Sequence, residues 1–113
     1  MNVLMLEDII LNGTLLIHSE RARQLTVEGY TPEADDDYTF AELASAGGCY
    51  AQFAGAVDTV RDILRDTVTA GISPADWPWP SCTFKPGPDN SNASRIRELV
   101  KAGALIAAEI DRL

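Results

Sequence analysis

The carboxylates whose spacing bears most directly on catalysis lie near the end of the chain, where RIRELVKAGALIAAEIDRL sets Glu98 and Lys101 one helical turn apart. Two carboxylates at that spacing share a helix face and can hold a hard cation against a polyphosphate. A lysine in the second place puts a positive charge where the metal would sit. Upstream, Phe40-Ala-Glu-Leu-Ala-Ser45 supplies Glu42 alone. The run Glu33, Asp35, Asp36 and Asp37 has no glycine-centred calcium loop with a closing glutamate. It reads as a solvated acidic loop before a helix start, where negative charge suits the dipole. No metal ligand, cofactor or catalytic residue is therefore assigned.

Nucleophilic chemistry is equally poorly provided for. His18 is the one imidazole, so neither a Ser-His-Asp nor a Cys-His arrangement can be supported, and neither a GxGxxG nor a Walker loop occurs. Cys49 and Cys82 have no CxxC spacing, and buried free thiols in a reducing cytoplasm are the expectation. Direct binding of an anion is better supplied. Arg95, Arg97 and Lys101 near the start of the last helix, with Arg21, Arg23 and Lys85, could surround a phosphate, while Tyr30, Trp77 or Trp79 stacks on a base. The expected ligand-binding set is Arg21, Tyr30, Asp36, Trp77, Trp79, Lys85, Arg97 and Lys101. The structural alternative is that Arg97 and Lys101 pair with Glu98, Asp35 or Asp36 as bridges between loop and helix.

These residues must be positioned by a chain of 113 residues, one domain over 1–113, with a formal net charge of −8. That charge argues against a duplex nucleic-acid binder, since such proteins neutralise phosphates with Lys and Arg. It suits solubility or a partner with a basic face. The apolar start lacks a basic leader and is cut by Glu7 and Asp8, and no run of about 18 apolar residues is present, so neither a signal peptide nor a membrane span is expected.

The pattern predicts an all-α fold of three or four helices. Leu11, Leu15, Ala22 and Leu25 follow a helical period in the opening segment, which Gly29 would stop; Asn12-Gly13 is also a hairpin signal. Thr39 and Glu42 form a capping box that predicts a helix from Phe40. Its buried stripe would run through Leu43, Ala46 or Gly47, Tyr50, Phe53 or Ala54, Val57, Val60 and Leu64, bent or split at Gly55 and ended by Gly71. Asp58, Arg61, Asp62, Arg65 and Asp66 read as its solvated face. Five of the six prolines and both tryptophans lie in SPADWPWPSCTFKPGPDN, a long loop pinned over the helices by Trp77, Trp79 and Phe84. The final helix begins near Ser91 or Ser94 and buries Ile96, Leu99, Val100, Gly103, Ile106, Ala107, Ile110 and Leu113. Its small residues Gly103, Ala104, Ala107 and Ala108 would admit a second copy, a homodimer being the expected symmetric assembly.

GYTPEADDDYTFAELASAGGCYA, WPWP, FKP and the terminal RIRELVKAGALIAAEIDRL together resemble a group of small phage and prophage proteins. Members of that group carry an E-G-W-T-P-E-H-D-D segment, a W-P-W loop and a terminal R-R-D-L-V-K-A-G-A-L-I helix. The resemblance covers Glu20 to Leu113, with Tyr30 in place of tryptophan and Ala34 in place of histidine. More distantly the chain is similar to MazG-like all-α pyrophosphohydrolases, whose ExxE and ExxD metal motifs are incomplete here. The resemblance implies a phage accessory protein, cytoplasmic in its bacterial host; the aromatic and basic residues around the incomplete metal positions point to one that binds or sequesters a nucleotide-like host signal without catalysis. The alternatives are an acidic inhibitor docking on a basic host protein, and residual nucleotide pyrophosphohydrolysis.

Overall fold

The computed structural model describes residues 3–26 and 41–113, with side chains described from residue 12 onward. Among them are four α-helices and no strand: α1 (Val3–Thr26), α2 (Glu42–Gly55), α3 (Asp58–Thr69) and α4 (Asn92–Arg112), with one turn of 3-10 helix at Ser81–Thr83. The fold is all-α. Helix α1 runs without interruption through Asn12-Gly13, so that pair makes no hairpin. No helix among the described residues is long and apolar enough to cross a membrane. Gly29, Thr39, Phe40 and the acidic run 33–37 lie outside the described residues.

Helix α2 begins at Glu42, with Ala41 as its N-cap in the left-handed region at φ 61° and no side-chain cap. Glu42 thus stands first in the helix, not third as a capping box from Thr39 requires. The long helix expected from Phe40 onward is two, parted at Ala56 and Val57 just after Gly55; Gly71, at φ 88°, follows the end of α3. Helix α4 starts after Ser91, whose side chain accepts from the Ser94 amide. Asp89 reinforces this start. Its Oδ1 accepts from the Ser91 amide at 3.0 Å, the Ser91 hydroxyl at 2.5 Å and the Ser94 hydroxyl at 2.7 Å.

Helices α2 and α4 form the central pair, and α1 lies against α4. The core joins Leu43, Ala46, Tyr50 and Phe53 of α2 to Ala102, Leu105 and Ala108 of α4. The proline-rich segment closes over it through Trp77 and Phe84. Tyr50 stacks on Phe84 at 4.8 Å, Phe53 meets Phe84 edge-on at 5.8 Å, and Trp77 meets both Tyr50 and Phe84 edge-on. The Trp77 indole N–H donates to the Pro80 carbonyl and the Thr83 hydroxyl, so a buried ring keeps its polar edge satisfied.

The helical period located the helices but misassigned several of their faces. On α4, Ile96, Leu99, Ile106 and Ile110 are exposed, and Ser94, Glu98, Ala102, Ala104, Leu105, Ala108 and Glu109 are buried instead. On α1, Leu15 and Ala22 are exposed, whereas Arg21 and Gln24 are buried. Val57 and Val60 are exposed, and Arg61, expected on a solvated face, has no accessible surface.

One interaction accounts for much of this rotation. Arg61 of α3 and Glu98 of α4 are both fully buried and pair through both guanidinium ends, Nη1 to Oε1 and Nη2 to Oε2. The other guanidinium hydrogens go to Asn90 Oδ1, the Phe53 carbonyl and the Asp89 carbonyl, so all five donors are used. Glu98 Oε2 also accepts the Gly87 amide at 2.7 Å. This approach requires glycine: a Cβ at Gly87 would overlap Ser94 and lie 2.9 Å from Glu98 Oε2. The guanidinium lies 4.6 Å from the Phe53 ring centroid. Such a pair is costly to desolvate, so its value lies in its full set of partners, and removing one member strands a buried charge.

Glu98→Ala should therefore lower stability in urea denaturation by about 3–5 kcal/mol, with Arg61→Met/Glu98→Met recovering part of the loss. A loss for Glu98→Ala below about 1 kcal/mol, the range of exposed pairs, would show that the bridge does not organise the fold. Hydrogen bonds from Ser91 and Ser94 lower the Asp89 pKa from 3.8 to about 2. A carboxyl depressed on folding contributes stability at neutral pH that is lost as pH falls below its unfolded value toward the folded one. Asp89→Asn should thus flatten the acid limb of a stability–pH profile measured by thermal unfolding, and an unchanged limb would contradict this.

Candidate functional site

The exposed flank of α4 bearing Arg97 and Lys101, the last turns of α1 and the segment 77–85 enclose a recess with two adjoining lobes. The first, of about 320 Å³, has a wall of Tyr50, Trp77, Trp79, Cys82, Thr83 and Leu105. The second, of about 350 Å³, extends to Arg97 and Val100. Glu20, Arg23, Lys85 and Lys101 line both and so stand at their junction.

Each of these side chains is placed by a local cause. Lys85 follows the aromatic anchor Phe84; its backbone N–H donates to the Tyr50 hydroxyl at 3.0 Å, and its carbonyl accepts the Lys101 ammonium at 2.9 Å. Lys101 also lies 5.4 Å from the Tyr50 ring centroid. Glu20 and Arg23, one turn apart on α1, form a two-pronged pair at 2.8 and 2.6 Å, and Gln24 donates to Glu20 at 3.1 Å. The Arg23 hydrogen bond, chiefly, holds the Glu20 carboxyl below its ordinary pKa. Glu20 is therefore ionised and committed to its neighbours, a poor proton donor or acceptor near neutrality.

The ring end is built from residues of unequal availability. Trp77 is buried, with its indole edge hydrogen-bonded within the 77–83 segment, so it forms the floor. Trp79 is half-buried and meets Trp77 edge-on at 5.4 Å, leaving it the better placed tryptophan to stack on a planar ligand.

Of the expected binding set, Trp77, Trp79, Lys85 and Lys101 line the first lobe, and Lys85, Lys101 and Arg97 the second. Arg21 does not join them: it is buried and pairs with Asp111 at 3.6 Å. Tyr30 and Asp36 lie outside the described residues. Arg95 is withdrawn from the recess as well, donating to the Ala54 and Ala56 carbonyls at the end of α2 and to Asp58. Glu98 pairs with Arg61 rather than with Arg97 or Lys101, and its oxygens are so engaged that the Glu98–Lys101 turn is an anchor beside a cleft cation, not half of a metal motif. Among the described residues no three His, Cys, Asp or Glu side chains gather to hold a metal. His18 is exposed on α1 and is not part of the lining.

Sequence reasoning missed Glu20, Gln24, Tyr50, Cys82 and Thr83 as lining residues. The Glu20–Arg23–Gln24 spacing was a readable signal, because positions three and four apart share a helix face. The small-residue face of α4 is also used within the chain. A Cβ at Gly103 would lie 2.7 Å from Ile17 of α1, and Ala104 and Ala108 are buried, so this stripe does not offer a surface to a second copy.

The charge inventory is uneven. Of nine basic residues, six arginines pair with carboxylates: Arg21, Arg23, Arg61, Arg65, Arg95 and Arg112. Lys85, Arg97 and Lys101 line the recess together with Arg23. A chain of net charge −8 thus gathers positive charge at one place.

Comparison with known proteins brings no relative to this geometry: the chain matches no family model, no curated protein and no solved structure.

The two thiols differ in a way that the expectation of two buried cysteines did not foresee. Cys49 is buried and its pKa is raised by desolvation, whereas Cys82 is exposed at the recess. A thiol reagent such as DTNB should modify one equivalent rapidly, lost in Cys82→Ser, and a second only on unfolding. Equal rates at both would contradict the assigned burial.

Proposed function

We propose that the chain binds a nucleotide-like small molecule, a planar ring bearing anionic groups, in the recess between α1, α4 and the 77–85 segment, and holds it without transforming it. The observation that carries this reading is that Lys85 and Lys101 stand between Trp79 in one lobe and Arg97 in the adjoining one, on a protein of net charge −8. Charge-assisted hydrogen bonds from the cations would hold the anionic part, and the indole would hold the ring. Binding without turnover is supported by the committed state of Glu20 and by the position of His18 away from the lining. The likeness of the sequence to small phage proteins suggests an accessory role in which a host nucleotide signal is withdrawn from its receptor.

A second reading draws on the net charge of −8 and on the six arginines tied up in ion pairs, which leave acidic groups in excess for docking on a basic protein surface. Lys101→Ala separates the two, weakening small-molecule binding while leaving acidic docking intact.

Calorimetry and tryptophan fluorescence against nucleosides, linear and cyclic nucleotides and ADP-ribose should identify a binder that also protects Cys82 from DTNB. Trp79→Ala should weaken it by about 1–3 kcal/mol, the range for base stacking on an aromatic side chain. Absence of binding across the panel would sink the reading.

A further inference from the structure

We infer that the isoleucine and leucine stripe left on the outside of α4 by the inward turn of Glu98 is the seam of a homodimer, packed against the same stripe of a second copy about a two-fold axis. This does not depend on the binding reading above.

The first observation is periodicity. Ile96, Leu99, Ile106 and Ile110 of α4, with Leu113 just past its end, stand at intervals of three, seven, four and three residues. Those are a and d positions of a heptad, which keep to one side of a helix and suit knobs-into-holes packing on a facing helix. The place missing from the series is Gly103, where Ile17 of α1 lies so close to the backbone that a Cβ would come within 2.7 Å of its Cδ1. Ile17 is half-buried, so the apolar surface continues across the gap. The second observation is area. The five side chains are between 44% and 88% exposed, which leaves on the order of 500 Å² of apolar surface on each copy toward the ~800 Å² per partner of a standard interface. Val57, also exposed, adds to it, because Arg95 beside Ile96 holds the Ala56 carbonyl and brings the junction of α2 and α3 to the same end of α4. An apolar patch of this size marks an interaction surface.

The third observation is charge, and it selects the occupant. The chain carries a net −8, yet between Arg95 and Ile110 its carboxylates are Glu98 and Glu109, both buried and paired with Arg61 and Arg112. Two copies can therefore bring these faces together without opposing like charges. A basic partner would find no exposed carboxylate on the stripe to bind. A face that is apolar, uncharged and repeated at heptad spacing is complementary to itself, which is what a two-fold interface requires. Arg97 and Lys101 lie two residues to either side of Leu99, about 200° around the helix, so the pairing leaves both recesses open.

The test is analytical ultracentrifugation of the full chain from nanomolar to tens of micromolar, where the mass should rise to twice the 12.2 kDa of one chain and no further. Leu99→Glu and Ile110→Glu, each at an exposed position, should raise the dimer dissociation constant by about a hundredfold or more, because each places two carboxylates in an apolar seam. Arg97→Glu, on the other side of the same helix, should leave it unchanged, and circular dichroism should report the same helix content in all three. A chain that stays at 12.2 kDa throughout would overturn the proposal. A dimer that both stripe variants leave intact would overturn it too, by placing the interface elsewhere. Growth beyond two copies would do the same, since a two-fold seam closes on itself. No nucleotide enters these measurements, so their outcome is separate from that of the binding reading.

Discussion

The desolvated pair between Arg61 and Glu98 is the constraint on which the rest of the structure depends. Two charges removed from water in a small domain are tolerable only when every hydrogen-bonding direction is filled, and filling them here requires elements far apart in sequence. The guanidinium takes the Phe53 carbonyl from the end of α2 and the Asp89 carbonyl and Asn90 side chain from the loop before α4, while the carboxylate takes Gly87. The pair thereby joins α2, α3, α4 and the proline-rich segment at one point. Arg65 and Arg95 extend the arrangement. Arg65 donates to Gly87, Asp89 and Asn90, and Arg95 caps carbonyls where α2 ends.

Turning Glu98 inward sets the rotation of α4 about its axis, and this rotation has a functional consequence. Ala102, Leu105 and Ala108 follow Glu98 into the interface with α2, where they share one core with Tyr50 and Phe53. Arg97 and Lys101 then fall on a flank that faces the end of α1, and Lys85 is brought there because Phe84 before it is a core residue and its own backbone amide holds the Tyr50 hydroxyl. The recess is thus a by-product of the same packing that secures the fold. The arginines divide accordingly: most are structural, tied to carboxylates or helix-end carbonyls, whereas Arg97 stands with Lys85 and Lys101 in the lining of a single cleft. On a protein of net charge −8, that contrast is screened at distances beyond about 8–10 Å at physiological salt, so the cleft acts on an anion at contact rather than at long range.

Much of the secondary structure was legible in the chain, and some of the site was. Gly55 is the last residue of α2, Gly71 follows α3, Ser91 caps α4, and the prolines of 74–88 exclude α-helix, all from short-range stereochemistry. Trp77, Trp79, Lys85, Arg97 and Lys101 were recognisable as aromatic and cationic residues of potential use, and they do share one recess. Arg21 and Arg95 were indistinguishable from them by residue type. Only the position of Asp111 and of the α2 carbonyl ends separates the structural arginines from those that line the cleft.

The sequence by itself determined where α3 ends and where α4 begins, because a capping serine and a left-handed glycine act within a few residues of themselves. It did not determine which side of each helix faces inward. On α4 an isoleucine and leucine stripe competes with an alanine-rich stripe carrying Glu98, and local hydrophobicity favours the first. The tertiary structure decided for the second, since burying Glu98 is favourable only when Arg61, 37 residues away, arrives with all its partners. That choice rests on contacts between distant segments, and it is what leaves Lys101 facing the cleft while Glu98, one turn before it, is sealed in the core.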